Sequence, residues 1–135
     1  MDDDELWRRF ARQEFSQAEW THAMHVRTAF LHLARYDLDE AHLRMRAGII
    51  RLNERHGLEE TTQRGYFETM TRAWLHLVGA ARRRTGAVSS LALLEKCPEL
   101  MDRGLPLRHY SKAVLTSPRA RAIFVEADLE PLPAP

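Results

Sequence analysis

Glu19, His22 and His25 place a carboxylate and two imidazoles at intervals of three residues in a stretch with helical periodicity. Side chains three apart share one face of a helix, and Glu-x-x-His is the unit from which di-iron carboxylate bundles build their sites. His42 and Glu68, on two other predicted helices, could complete such a ligand shell. Two histidines and a carboxylate suit Fe, Mn or Zn with open coordination positions. We therefore consider a divalent metal as cofactor, with His22, His25 and Glu68 as candidate catalytic ligands or acid–base groups.

A second hypothesis needs no metal. Arg27, Arg72 and Tyr66, together with His22, could line a pocket between helices that binds a small anionic molecule. Guanidinium groups hold carboxylates and phosphates through charge-assisted hydrogen bonds, and such pockets are common between the helices of a bundle. In this interpretation the two arginines hold the anion.

A structural interpretation competes with both hypotheses. Ser16-x-x-Glu19 is a capping-box pattern, which would occupy the Glu19 carboxylate at a helix start. Glu68 could form an ion pair with Arg72 four residues later, or a buried cross-helix pair with Arg27. The alternative function is then a non-catalytic interaction or scaffold protein whose His/Glu/Arg cluster is a polar network. The two possibilities differ in whether the two histidines and Glu68 converge beside a cavity.

Three long helices must position these groups, and their apolar spacing predicts them at about 17–36, 38–56 and 62–84. Acidic residues and an apolar stripe predict a shorter helix that docks on the body within 1–14. No stretch alternates apolar and polar residues as a strand does. We expect one all-α domain over 1–135, a compact bundle with three core helices in 15–85. Short helices and an extended Pro-rich tail are expected in 86–135.

Two blocks of sequence resemble a poorly characterised bacterial all-helical family. E-W-T-H-A-M-H-V-R-T-A-F-L-H-L at 19–33 is similar to its W-T-H-x-x-H-x-R-x-A helix, and G-Y-F-E-T-M-T-R-A-W-L at 65–75 to its G-Y-H-E-T-x-T-R-x-W helix. Ser117–Arg121 and A-D-L-E-P-L-P at 127–133 resemble the family's tail. The resemblance implies an all-helical fold and attaches no reaction. Phe67 stands where that pattern has His, which would imply a lost or altered activity if that His serves a metal or a proton transfer.

Composition narrows the class of protein. The chain has 135 residues, 44% of them hydrophobic, which is enough for a core, and a net charge of +1. That charge gives no basic field for nucleic acid or a membrane surface. No run approaches the ~20 apolar residues of a membrane span, and the acidic start lacks the apolar run of a signal peptide. Cys97, the only cysteine, excludes an intramolecular disulfide. We expect a cytoplasmic protein, with a homodimer favoured if the Leu6, Trp7 and Phe10 stripe or the tail is exposed.

Overall fold

The computed structural model describes residues 1–135 and is all-helical, as the sequence predicts, with no strand. Two 3₁₀ turns at Pro98–Met101 and Leu105–Arg108 interrupt the C-terminal third. None of the helices combines the length and the apolar character that a membrane span requires. The seven α-helices are α1 Asp3–Ala11, α2 His22–Leu33, α3 Leu38–Arg55, α4 Glu68–Thr85, α5 Ser90–Lys96, α6 Lys112–Leu115 and α7 Pro118–Ala122.

Helix α2 begins at His22, about five residues later than the sequence predicts. The Ser16–Glu19 capping box does form: the Ser16 N–H donates to Glu19 Oε1 at 2.9 Å, and the Glu19 N–H donates to Ser16 Oγ at 3.2 Å. It closes only a single turn, because Thr21 has extended backbone angles and becomes the cap of α2. Glu19 therefore lies outside α2 and does not share a helical face with His22.

Helix α4 also begins late, at Glu68 instead of residue 62. Gly65 has a φ of 113°, a value that no α-helical residue adopts, so the chain cannot enter the helix before it. The link between α3 and α4 is thus twelve residues long, from 56 to 67, whereas the predicted helices at 38–56 and 62–84 leave only five residues between them. Tyr66 and Phe67 consequently leave the helical face and lie on the segment that leads into α4.

Helices α2 and α4 form the centre of the bundle. Helix α2 packs against α1, α3, α4 and α5, and α4 packs against α2, α3, α5 and α7. The main core lies between them and is continuous from Leu6 on α1 to Leu105 in the second 3₁₀ turn. Leu6 and Phe10 are buried in this core, so the apolar stripe of α1 is a docking face and not an exposed patch. Phe10 lies directly on Gly48 of α3, where any side chain would overlap its ring.

The C-terminal tail, residues 123–135, forms no helix and lies along α4. Thr69, near the start of α4, accepts a hydrogen bond from the N–H of Val125 at 3.1 Å and donates to a tail carbonyl at 2.8 Å. Tyr110 donates its hydroxyl to the Val125 carbonyl at 2.7 Å. Farther along α4, His76 donates from Nδ1 to another tail carbonyl at 2.9 Å. These contacts bind the tail to the helix that forms one wall of the site described below.

Candidate functional site

A pocket of about 330 Å³ lies between α2 and α4 and is partly open to solvent. We call it the α2–α4 pocket. Ten of its fifteen lining residues are hydrophobic, and none is an aspartate or a glutamate. Helix α3 contributes Met45 and Ile49 to the wall. Apart from Gly65, the smallest lining residue is Ala29 of α2. The ring-bearing residues of the lining are Trp20, His22, His25, Tyr66, Phe67 and Trp74.

His22 is held in place by the first 3₁₀ turn, which lies behind it. Its Nε2 lies 2.9 Å from the carbonyl oxygen of Leu100, which can only accept, so Nε2 carries the proton and donates it. In the neutral ring Nδ1 is then a lone-pair acceptor, and no group of the protein donates to it. The ring packs edge-on against Trp74, with 4.7 Å between centroids. His22 therefore offers the pocket one fixed acceptor.

His25 lies one turn farther along α2, and its imidazole makes no hydrogen bond within the protein. Burial lowers its pKa to about 4, with smaller lowering effects from the neighbouring His22 and Arg103. The imidazole is therefore neutral at pH 7, with one donor and one acceptor nitrogen. Its ring packs on Trp20 at 4.3 Å, and Nε1 of Trp20 is buried without any acceptor. Two lining side chains thus have polar atoms that the protein leaves unmatched.

Arg103 is the only permanently charged residue that lines the α2–α4 pocket. It comes from the segment between the two 3₁₀ turns and is exposed at the mouth. Its guanidinium forms neither an ion pair nor a hydrogen bond with the protein. No carboxylate lines the pocket, so Arg103 has no acidic partner within the lining.

The Glu68 carboxylate lies beside the pocket in a network of its own. Oε1 accepts from the hydroxyl of Tyr66 at 2.7 Å, from His42 Nε2 at 2.7 Å and from Arg46 Nε at 3.1 Å. Burial alone would raise the pKa of Glu68, but the hydrogen bonds from Tyr66 and Arg46 outweigh it and the pKa is lowered. Glu68 is therefore ionised and fully engaged. Only Tyr66 belongs to both the network and the pocket lining.

His42 is neutral within this network. Burial lowers its pKa in spite of the adjacent Glu68 carboxylate. The hydrogen bonds agree with this state, because Nε2 donates to Glu68 while Nδ1 lies 3.4 Å from the Arg72 guanidinium, which can only donate. Arg72 in turn pairs with Asp39 at 2.8 Å. Both nitrogens of His42 therefore have partners, as the structural interpretation expects.

The remaining predicted site residues have structural partners elsewhere. Glu19 is at the surface and pairs with Arg9 at 2.8 Å; the hydrogen bond from the Ser16 backbone, followed by that from Arg9, lowers its pKa to about 2. Arg27 is buried and donates to Ser90 Oγ at 2.7 Å and to a backbone carbonyl at the N-terminus. Neither residue reaches the α2–α4 pocket.

The structure thus divides the hypothesised metal shell among three places. Glu19 is at the surface, His22 and His25 line the pocket, and His42 and Glu68 form the neighbouring network. No three His, Cys, Asp or Glu side chains form a group that could hold a metal ion. Glu19 is separated from the two histidines because α2 begins only at His22. Glu68 does not join them because its carboxylate is already bound within the neighbouring network. Of the residues predicted to hold an anion, Tyr66 lines the pocket, whereas Arg27 and Arg72 do not.

Twelve of the fifteen lining residues were not predicted as site residues, and four of them give the pocket its aromatic surface and its charge: Trp20, Phe67, Trp74 and Arg103. The tryptophans have the spacing of residues that pack in a hydrophobic core, so their spacing does not indicate that they line a pocket. Phe67 carries a signal, since it is the position where the chain departs from the pattern it resembles, and it lies in the same pocket as both histidines. Arg103 gives no signal in the sequence, because only the path of the 3₁₀ turns brings it to the mouth.

Comparisons with protein-family models, with curated proteins and with solved structures find no match for this chain. We therefore infer the role of the α2–α4 pocket from the chemistry of its lining.

Proposed function

We propose that this protein binds a small organic molecule in the α2–α4 pocket. The observation that carries the proposal is that polar atoms of the lining have no partner in the protein: both ring nitrogens of His25, Nδ1 of His22 and Nε1 of Trp20, of which only the last is buried from water. A buried polar group without a partner costs about 1–3 kcal/mol, and this applies to Trp20. A ligand with complementary polar groups would bond to the histidine nitrogens in place of water.

The size and surface of the pocket favour a flat apolar body. A cavity of about 150 Å³ is known to hold benzene, so 330 Å³ has room for a molecule of one or two rings. Trp20, Phe67 and Trp74 present aromatic surface on which such rings pack edge-on or offset. A mostly apolar lining with a few polar groups that fix orientation is the usual composition of a small-molecule site. No metal enters this proposal, since three ligands do not meet.

The scaffold alternative is supported by the residues outside the pocket. Arg27, His42 and Glu68 all have partners within the protein, as a structural polar network requires. Exposed apolar side chains also stand near the α4–α5 corner, where Val88 is 94% and Leu91 49% exposed. If the protein binds no small molecule, an interaction function is the better proposal.

The test is a titration with N-phenyl-1-naphthylamine, a neutral probe that fluoresces in apolar sites. We expect saturable binding, accompanied by a change in the emission of Trp20 and Trp74, which line the pocket. Ala29→Leu adds volume to the buried wall and should weaken binding at least tenfold. Ala47→Leu makes the same change at an exposed position of α3 and should leave binding unchanged.

Circular dichroism of both variants shows whether they are folded. Absence of saturable binding by the wild-type protein would contradict the proposal. So would equal binding by two folded leucine variants, because the probe would then lie outside the pocket.

A further inference from the structure

We propose that the ligand of the α2–α4 pocket is a small aromatic monocarboxylate, with its ring between Trp20 and Trp74 and its carboxylate against Arg103. This inference rests on the proposed function, and it adds the charge and the orientation of the ligand. It follows from three features of the lining: its charge, its excess of hydrogen-bond donors and the N-terminal end of α2, where His22 lies.

The charge of the lining selects an anion. Arg103 has no acidic partner, and no aspartate or glutamate lines the pocket. The permanently charged group that acts on His25 is Arg103, from the 3₁₀ segment, and it disfavours a second positive charge there. The Glu68 carboxylate beside the pocket is already bound by Arg46. A carboxylate on the ligand would supply the missing negative charge.

The hydrogen-bonding groups agree with this choice. Arg103 offers several N–H donors in a planar fork that matches a carboxylate, Trp20 can only donate, and neutral His25 contributes one more donor. Nδ1 of His22 and the second nitrogen of His25 are the acceptors. Unmatched donors therefore exceed unmatched acceptors, which favours a ligand group that only accepts.

One helix N-terminus reinforces the preference. Helix α2 begins at His22 and has no acidic residue in its first turn, whereas the first turn of α4 already holds Glu68. The N-terminal end of a helix carries about half a positive charge, which stabilises anions nearby. Only one guanidinium is present, however, and no other lining residue is permanently charged, so a second negative charge would be buried without a partner. A monoanion fits this balance better than a dicarboxylate or a phosphate.

Three probes of one shape separate charge from size: 1-naphthoate, its neutral isostere 1-naphthamide, and the cation 1-naphthylmethylammonium. Displacement of N-phenyl-1-naphthylamine measures all three. We expect 1-naphthoate to bind at least tenfold more tightly than 1-naphthamide, and the cation to bind most weakly. Arg103→Gln should reduce the preference for naphthoate to below threefold while leaving the affinity for the amide unchanged. Arg108→Gln, a matched exposed arginine that does not line the pocket, should keep the full preference.

The outcomes distinguish the two proposals. If the amide binds as tightly as the carboxylate, or if Arg103→Gln leaves the preference intact, the monocarboxylate inference is overturned and pocket binding survives. If neither the fluorescent probe nor any naphthyl compound binds, both proposals are overturned together.

Discussion

Glu68 shows how one side chain can resemble a catalytic residue and serve the fold. Its carboxylate is 14% exposed and accepts three hydrogen bonds on a single oxygen. The hydrogen bonds from Tyr66 and Arg46 keep this carboxylate ionised by lowering its pKa. Glu68 also holds the hydroxyl of Tyr66, whose ring lies in the pocket wall.

Glu68→Gln is therefore expected to destabilise the protein. The change removes the negative charge beside Arg46 and leaves donors of the network unmatched, which should cost about 2–3 kcal/mol in the free energy of unfolding. Urea unfolding at pH 7 measures the loss. Glu40→Gln breaks an exposed i,i+4 pair with Arg44 and should cost at most about 0.5 kcal/mol. Equal losses for the two variants would show that the Glu68 network does not stabilise the fold.

His32 makes stability depend on pH. It is buried against the rings of Trp7 and Phe10, donates from Nδ1 to the Thr28 carbonyl at 2.8 Å, and burial lowers its pKa to about 4 from an ordinary 6.5. Between those two values the unfolded chain binds the proton and the folded chain does not. The contribution of neutral His32 is thus complete above pH 6.5 and is lost as the pH falls towards 4.

We expect the free energy of unfolding to fall steeply between pH 6.5 and 4, with His25 and His32 each contributing on the order of 3 kcal/mol. In His32→Gln this slope should be shallower than in the wild type, with His25 and His42 accounting for the part that remains, whatever the stability at pH 7. His109→Gln changes a half-buried histidine far from Trp7 and Phe10 in sequence and should keep the original slope. An unchanged slope in His32→Gln would show that this residue is not the buried base responsible.

How far the site could be predicted also differs from residue to residue. The inward position of His22 and His25 follows from helical periodicity, because their neighbours on the α2 face are apolar. The roles of Glu19 and Glu68 could not be separated in this way, since a carboxylate that caps, pairs or catalyses has the same sequence pattern. Arg103 was unpredictable because its position depends on non-local packing of an irregular segment.

At the scale of elements, the existence of the long helices was predictable and their starts were not. Apolar spacing extends through 17–21 and 62–67, so it places helix in both segments. Two residues prevent this: Thr21 has the extended backbone of a helix cap, so α2 begins only after it, and Gly65 has a positive φ, which cannot lie inside a helix. These errors of five and six residues matter for function, because they determine which aromatic side chains line the pocket.

The contact between α1 and α3 yields a prediction of its own. Gly48 lies inside α3, where alanine normally stabilises a helix by about 1 kcal/mol. Here a Cβ would overlap the Phe10 ring, and overpacking of a core costs about 1–3 kcal/mol. We therefore expect Gly48→Ala to lower the free energy of unfolding by about 1 kcal/mol net. In a Phe10→Leu background the same change should become neutral or stabilising, which thermal unfolding of the four proteins in the cycle can decide.

At the scale of the whole molecule, the tail joins parts of the chain that are far apart in sequence. Thr69 and Tyr110 are both fully buried, and both use their hydroxyl groups on the tail backbone. Burial raises the pKa of Tyr110 to about 12, which agrees with a phenol kept away from water. The sequence predicts an extended tail from its prolines but does not identify the helix against which it lies.

Removal of residues 124–135 is expected to destabilise the molecule by about 2–4 kcal/mol, because two buried hydroxyl groups lose partners and the apolar surface around Tyr110 is exposed. Removal of 131–135 alone deletes the carbonyls bound by His76 and Arg83 and one of the two bound by His109, and should cost about 1 kcal/mol. Urea unfolding of the three chains tests this order. Equal stability of all three would mean that the tail contributes nothing to the fold.

Cys97 has a practical consequence. It is the only thiol of the chain, is 1% exposed, and lies directly before the 3₁₀ turn whose Leu100 carbonyl fixes His22. A thiol-specific reagent can reach this sulfur only when the surrounding structure opens, so the labelling rate measures how often local unfolding exposes Cys97. A molecule held in the α2–α4 pocket should slow that rate in proportion to its occupancy. Ligands of the wild-type protein could thus be detected without any added fluorophore and without changing a single residue.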